Sequence, residues 1–206
     1  MYEKKNKNNM KNLVCVTPKF SISKYNYERI EIDQNWINFL KKLNYNVLII
    51  NETNLQLIQS LKPKCIFISG GGDIYDISKN NTDLKRDNFE IKVFRKFLKK
   101  VPIICICRGY QLIAKKVYKS KLFKVKNHVN KHHIISNSKM KLNVNSFHNF
   151  SIKRLPKIFN EVFFHNDKSI ELAISNKYKI ILSMFHPERF NKDQNKINII
   201  LKSFLK

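Results

Sequence analysis

The stretch Pro102-Ile103-Ile104-Cys105-Ile106-Cys107-Arg108-Gly109-Tyr110-Gln111 constrains the fold more than any other part of the chain. Four consecutive apolar residues with no alternation suit a central parallel strand buried on both faces; a half-wet strand would show a polar residue at every second position. A helix pattern follows through about Lys116. The turn between them has the form of a nucleophile elbow. Its side chain, Cys107, would stand at the strand's carboxyl end, while Gly109 lets helix and strand approach. The helix N-terminus supplies unpaired N–H groups and a positive dipole end, both of which favour a thiolate. By the turn alone, a small buried core cysteine, as expected for Cys15 and Cys65, remains an equal reading.

Such a strand needs parallel neighbours, and the chain supplies alternating elements. Strands are expected at Leu13–Thr17, Val47–Ile50 and Cys65–Ser69. Helical spacing runs over residues 28–43 (Ile32, Trp36, Phe39, Leu40, Leu43), and a short helix over Leu55, Ile58 and Leu61. The clearest helix spans 83–99, with Asp83 as N-cap and Phe89, Val93, Phe94, Phe97 and Leu98 facing inward. After about residue 120 the strand-like pieces Leu142–Val144, Glu161–Phe164, Ile170–Ile174 and Ile180–Met184 are joined by polar turns, and a last helix covers 194–205. The expected fold is α/β: an open, mostly parallel sheet flanked by helices, with a small antiparallel extension, in one domain over 1–206.

Charge says less than its size suggests. The formal charge is +25, yet only six of the forty basic residues are Arg, and the lysines are dispersed. Base reading and bidentate phosphate contacts favour Arg, so no nucleic-acid partner is expected. No apolar run reaches the roughly 20 residues that span a bilayer. The basic start, Met1–Lys11, precedes only the short apolar Leu13–Val16, too little for a signal-peptide core; a cytoplasmic protein without a membrane partner is the expectation.

All four glycines sit in two places, Gly70–Gly72 after one expected strand and Gly109 after Cys107. The first turn can present backbone N–H groups, Gly71 among them, which with that of Arg108 would hold an oxyanion. A phosphate loop is disfavoured, since Asp73 follows and no Gly-Lys-Ser/Thr does. A further strand end carries Phe185-His186-Pro187-Glu188. Pro187 keeps His186 extended, so His186 and Glu188 can point to one side, with the second imidazole nitrogen free for a thiol. A lone His-x-Glu also reads as a surface ion pair.

Taken together, Cys105-Ile106-Cys107-Arg108-Gly109-Tyr110-Gln111, His186-Pro187-Glu188 and Ile68-Ser69-Gly70-Gly71-Gly72-Asp73 resemble the class I glutamine amidotransferase superfamily, in its free-standing γ-glutamyl hydrolase branch. Asn145-Ser146-Phe147-His148 resembles a stretch lining the glutamyl pocket of that branch, and His128-Val129-Asn130 with His133 resembles another of its blocks. The resemblance implies a flavodoxin-like sheet and a Cys107–His186–Glu188 triad. It implies an oxyanion hole from Gly71 and Arg108, and substrate contacts from Gln111, Ser146, Phe147 and His148. It implies a small-molecule γ-glutamyl substrate and no cofactor; a synthase partner fed with ammonia is the alternative. Tyr27-Glu28-Arg29, Asp33-Gln34-x-Trp36 and Arg86-Asp87-x-x-Glu90 are similar to a narrower group, bacterial γ-glutamyl-CDP-amidate hydrolases acting in phosphoramidate-decorated capsule synthesis. Two residues depart from the superfamily pattern: Cys105 stands where it has Gly, and Met184 where many members have Gln. No metal is expected from His128, His132, His133 and the Cys105/Cys107 pair. Zinc cysteines normally stand as Cys-x-x-Cys, and adjacent histidines point their rings apart.

Overall fold

The computed structural model describes residues 12–205; the basic segment 1–11 lies outside them. Its main sheet has a parallel half of β1 (Leu13–Val16), β4 (Asn46–Ile49), β5 (Cys65–Ile68), β6 (Ile103–Ile106) and β13 (Ile180–Ser183). It continues antiparallel through β12 (Ile170–Ser175), β11 (Glu161–Phe164), β8 (Val129–Ser136) and β9 (Lys141–Phe147). The order is β4-β1-β5-β6-β13-β12-β11-β8-β9. A hairpin of β2 (Lys19–Ile22) and β3 (Glu28–Glu31), and a pair of β7 (Leu122–Lys124) with β10 (Phe150–Ile152), stand beside it.

Apolar residues of the central strands divide between two helical layers, which is why these strands lack polar alternation. Ile66, Ile68, Ile103, Cys105, Ile180 and Leu182 pack with Phe89, Val93, Phe94, Phe97, Tyr110 and Ile113. Phe67, Ile104, Ile106 and Ile181 pack with Trp36, Phe39, Leu40, Ile197 and Leu201 on the other face. The helices are α1 (Gln34–Lys42), α2 (Leu57–Leu61), α3 (Tyr75–Ser78), α4 (Asn81–Phe97), α5 (Arg108–Lys116) and α6 (Gln194–Phe204).

Three local expectations are corrected. The helical reading over 28–43 splits, because Glu28–Glu31 is an exposed hairpin strand, and α1 begins only where Asp33 Oδ1 accepts from Asn35 N at 3.0 Å. Asn80, not Asp83, caps α4, accepting from Thr82 N at 2.9 Å, and Leu98 falls at its C-cap in extended backbone. Ile180–Met184 is not part of an outlying extension. Ile180–Ser183 lies mid-sheet, parallel to β6 and antiparallel to β12, and the unbroken apolar run is what that position requires. This placement brings the carboxyl ends of β5, β6 and β13 side by side at one sheet edge, with Ile68 and Leu182 flanking Cys105 in register.

Candidate active site

Cys107 caps α5 with φ 49° and ψ −103°, a backbone conformation L-residues avoid, at a cost of order 1–3 kcal/mol. Neighbouring contacts enforce it. Cys107 N donates to Ser183 O of β13 at 2.6 Å, and Gln111 N donates to Cys107 O at 3.0 Å. Gly109 permits the approach of α5: a Cβ there would lie 2.5 Å from the Ile68 carbonyl oxygen, which rigid β5 cannot move.

His186 follows β13 and hydrogen-bonds the Cys107 side chain. Its Nδ1 lies 2.7 Å from Glu188 Oε1, which leaves Nε2 for the thiol. All three groups are more than nine-tenths buried. Burial alone pushes the Cys107 thiol up; the His186 charge and hydrogen bond, His148, and the Arg108 backbone N–H outweigh it and hold the thiol below its ordinary value. Burial likewise pulls His186 down, but Cys107 and Glu188 raise it well above an ordinary histidine. Both shifts favour the thiolate–imidazolium form of the pair. Gly70 closes over it: a Cβ there would meet His186 Cε1 at 2.7 Å and Cys107 Cβ at 3.3 Å.

The loop after β5 is held from behind by Arg86, fully buried on α4. Its Nη1 donates to Gly71 O at 2.7 Å, and its Nη2 to Gly70 O at 2.9 Å and Ser69 O at 3.0 Å. In a trans peptide the C=O and the following N–H point oppositely. Carbonyls drawn back toward Arg86 therefore turn the N–H groups of Gly71 and Gly72 the other way, away from the guanidinium. Glu90 joins the parts: Oε1 accepts from Arg86 Nε and Thr17 Oγ1, both at 2.9 Å, and Oε2 from Arg108 Nη1. Arg108 also donates to Asp87 Oδ1 and, through Nε, to Asp73 O at 3.0 Å. The elbow and the glycine turn thus share one buried, charge-balanced network.

The other expected residues fall into two groups. Phe147 meets His186 edge-on, with ring centroids 5.9 Å apart, and His148 is near enough to act on the Cys107 charge. Gln111 and Ser146 are buried and engaged with backbone: Gln111 Nε2 donates to Phe150 O at 2.9 Å, and Ser146 Oγ to His128 O at 2.6 Å. A cleft of about 290 Å³ opens beside the pair, lined by Lys19, Trp36, Gly70, Gly71, His186 and Arg189. Of the cysteine and histidine alternative for a metal, Cys105 is buried in β6 with its thiol pushed well up by burial, and His132 points outward to Phe190 O.

Two supports have no role that residue-by-residue reading assigns. Asn145 pins His186 from both sides, accepting from His186 N at 2.9 Å and donating to His186 O at 2.8 Å, while Asn191 Nδ2 donates to the same carbonyl at 3.0 Å. Nothing local in the sequence signals a contact across 41 positions. Arg86 did carry a signal, the i,i+4 pairing with Glu90, but its aim at the glycine turn depends on the packing of α4.

The family model for "Glutamine amidotransferase class-I" matches residues 27–205. The chain belongs to the class I glutamine amidotransferase family. It is 38% identical over 143 residues to a γ-glutamyl-CDP-amidate hydrolase of Campylobacter jejuni, covering 68% of this chain and 70% of that protein. It is 31% identical over 169 residues to one subunit of the glutamine-hydrolysing GMP synthase of Methanocaldococcus jannaschii, covering 77% and 82%. A solved Thermoplasma acidophilum protein, a candidate GMP synthase subunit, superposes with a TM-score of 0.70 at 18% identity, covering 94% and 92%. The mostly parallel sheet flanked by helices is the fold of this family, and the chain is a hydrolase of amide C–N bonds. No helix among the described residues is long and apolar enough to cross a membrane.

Proposed function

We propose that this amidotransferase-family chain hydrolyses a γ-glutamyl amide through Cys107, His186 and Glu188, and that its substrate is a γ-glutamyl-CDP-amidate-type intermediate of capsule phosphoramidate synthesis in the cytoplasm. The observation that carries the chemistry is the meeting of thiol, imidazole and carboxylate beneath the glycine turn. The Campylobacter relative supports the substrate class.

The Cys107 thiolate attacks the γ-carbonyl carbon, and the electron pair of the C=O bond moves onto oxygen. The N–H groups of Gly71 and Arg108 hold that oxyanion. Collapse breaks the C–N bond as imidazolium His186 gives its proton to the departing nitrogen, leaving a γ-glutamyl thioester. Water, deprotonated by His186, then attacks the thioester, and glutamate leaves with Cys107 restored as thiolate. Glu188 keeps the proton on Nδ1 throughout. Phe147 and His148 flank the glutamyl side, braced by Gln111 and Ser146, and Lys19 and Arg189 offer cationic contacts to a diphosphate leaving group.

The test is a panel of glutamine, γ-glutamyl amines and a γ-glutamyl nucleotide amidate, with glutamate release followed for each. The amidate is expected to lead the panel in kcat/KM by about tenfold or more, the scale of one good polar contact to a charged group. Preference for plain glutamine would overturn the substrate. A second reading, an ammonia-delivering subunit for a partner synthase, is favoured by the Methanocaldococcus relative. It requires the isolated chain to be nearly silent.

The resting ion pair also sets a pH profile. Lowering pH protonates the thiolate only below its depressed pKa, and raising pH deprotonates His186 only above its elevated one. The kcat/KM profile is expected to place its acid limb below the ordinary thiol value near 9.0. An acid limb at that ordinary value would contradict the ion pair.

A further inference from the structure

Four of the six histidines gather beside this site, with the His128 ring 4.8 Å from those of His133 and His148 and 5.0 Å from that of His165. Against them lies Glu171 of β12, fully buried. Two of the rings are oriented from outside. His148 Nδ1 is 3.1 Å from the Phe150 carbonyl, which only accepts, so Nδ1 carries the hydrogen. His128 Nε2 is 3.0 Å from Asp167 Oδ2, and by the same reasoning Nε2 carries the hydrogen.

Their other nitrogens therefore turn toward one another and toward Glu171. His128 Nδ1 and His148 Nε2 are 3.4 Å apart. His148 Nε2 lies 3.1 Å from Glu171 Oε2, and His128 Nδ1 lies 3.8 Å from Glu171 Oε1. All three residues are at most 3% exposed. A second observation points the same way. Neighbouring His133 is also buried, yet neither of its ring nitrogens has a well-formed hydrogen bond among the described residues; its Nε2 stands 3.5 Å from Glu171 Oε2. Without an ion, Glu171 Oε2 takes a hydrogen-bearing His148 Nε2 as its donor, and a cation bound between them would displace that hydrogen.

We propose that His128, His148 and Glu171 form a binding site for one divalent transition-metal ion of the zinc class. Donors held tetrahedrally at about 2.0–2.1 Å from zinc stand roughly 3.3 Å from one another; the two imidazole nitrogens are 3.4 Å apart, and the carboxylate sets one oxygen near each of them, Oε2 at 3.1 Å from His148 Nε2 and Oε1 at 3.8 Å from His128 Nδ1. The outer hydrogen bonds from each ring, to a carboxylate and to a backbone carbonyl, are those that fix metal-ligating histidines. Two imidazoles with one carboxylate suit zinc or a neighbouring transition ion and not calcium or magnesium, which take oxygen donors. No step of the proposed hydrolysis needs the ion. Occupation would instead draw His148 away from the glutamyl side and inhibit turnover, a consequence that rests on the proposed function, whereas binding itself does not.

The experiment uses the full chain after chelator treatment, titrated calorimetrically with Zn2+ and by visible absorption with Co2+. One ion per chain is expected. Glu171→Gln and Asp167→Asn should each weaken binding by about tenfold or more, the latter because it replaces the carboxylate behind His128 by a neutral amide. His132→Ala, with its ring turned outward, should bind as the wild type does, and unchanged melting of Asp167→Asn shows that the fold is intact. Absence of saturable binding would overturn the site. So would binding that both variants leave unchanged, or binding lost in Cys107→Ser but kept in Glu171→Gln. Saturable binding without loss of glutamate release would keep the site and remove His148 from the glutamyl pocket.

Discussion

Cys107→Ala is expected to lower glutamate release by at least about three orders of magnitude while leaving the protein folded. The variant removes one sulfur from the end of β6 and leaves the rest of the elbow standing: the bond from residue 107 N to Ser183 O, the bond to its carbonyl from Gln111 N, and the approach permitted by Gly109. What is lost is the only thiol at this strand end; the other three cysteines lie inside the sheet, all with thiols pushed above their ordinary value by burial. None of them can substitute. His186→Asn should lose a comparable factor, and the double variant little more, because nucleophile and base act as one unit. Steady-state glutamate release, with melting temperature as the check on folding, decides this; near-normal turnover of Cys107→Ala would remove the mechanism.

The second large effect belongs to a residue that touches no substrate. Arg86→Lys keeps a cation beside Glu90 but cannot reach three carbonyls at once, because an ammonium on a flexible stem lacks the planar fork of a guanidinium. The carbonyls of Ser69, Gly70 and Gly71 would lose their common donor, and the N–H groups on the opposite side of those peptides would lose their aim. Misplacing an oxyanion donor costs about 10²-fold in kcat. We therefore expect kcat to fall by about that factor with KM within a few-fold of wild type, and stability to fall by about 3 kcal/mol from opening a buried charge network. A merely structural residue would lower the melting temperature and leave the turnover of the folded fraction unchanged. That split separates positioning from packing.

Much of this was legible in the sequence where physical constraint is local. The apolar run Ile103–Ile106 marks a strand buried on both faces whatever surrounds it, and Gly109 marks a close approach that a Cβ would block at 2.5 Å. His186-Pro187-Glu188 encodes its own geometry, because the proline keeps the backbone extended and the Nδ1–Oε1 distance closes at 2.7 Å. Legibility failed where partners come from afar. The β2–β3 hairpin was hidden because residues 28–31 join smoothly to the apolar spacing of α1, and only the Asp33 cap breaks them. The strand Val129–Ser136 mixes lysines and histidines, so no alternation betrays it. Adjacent His132 and His133 argued against a metal and do point apart, but the trio of His128, His148 and Glu171 comes from three separate stretches that only the antiparallel half of the sheet assembles.

If the amide carbon becomes covalently attached to Cys107, rapid acid quenching will trap it there. The wild-type chain mixed with the γ-glutamyl nucleotide amidate and quenched within one turnover should show a mass gain of one glutamyl group. Peptide mapping should place that gain on the segment containing Cys107, and hydroxylamine should remove it as it does a thioester. Glutamate released at full rate with no adduct at any quench time, or an adduct on a residue other than Cys107, would contradict the account.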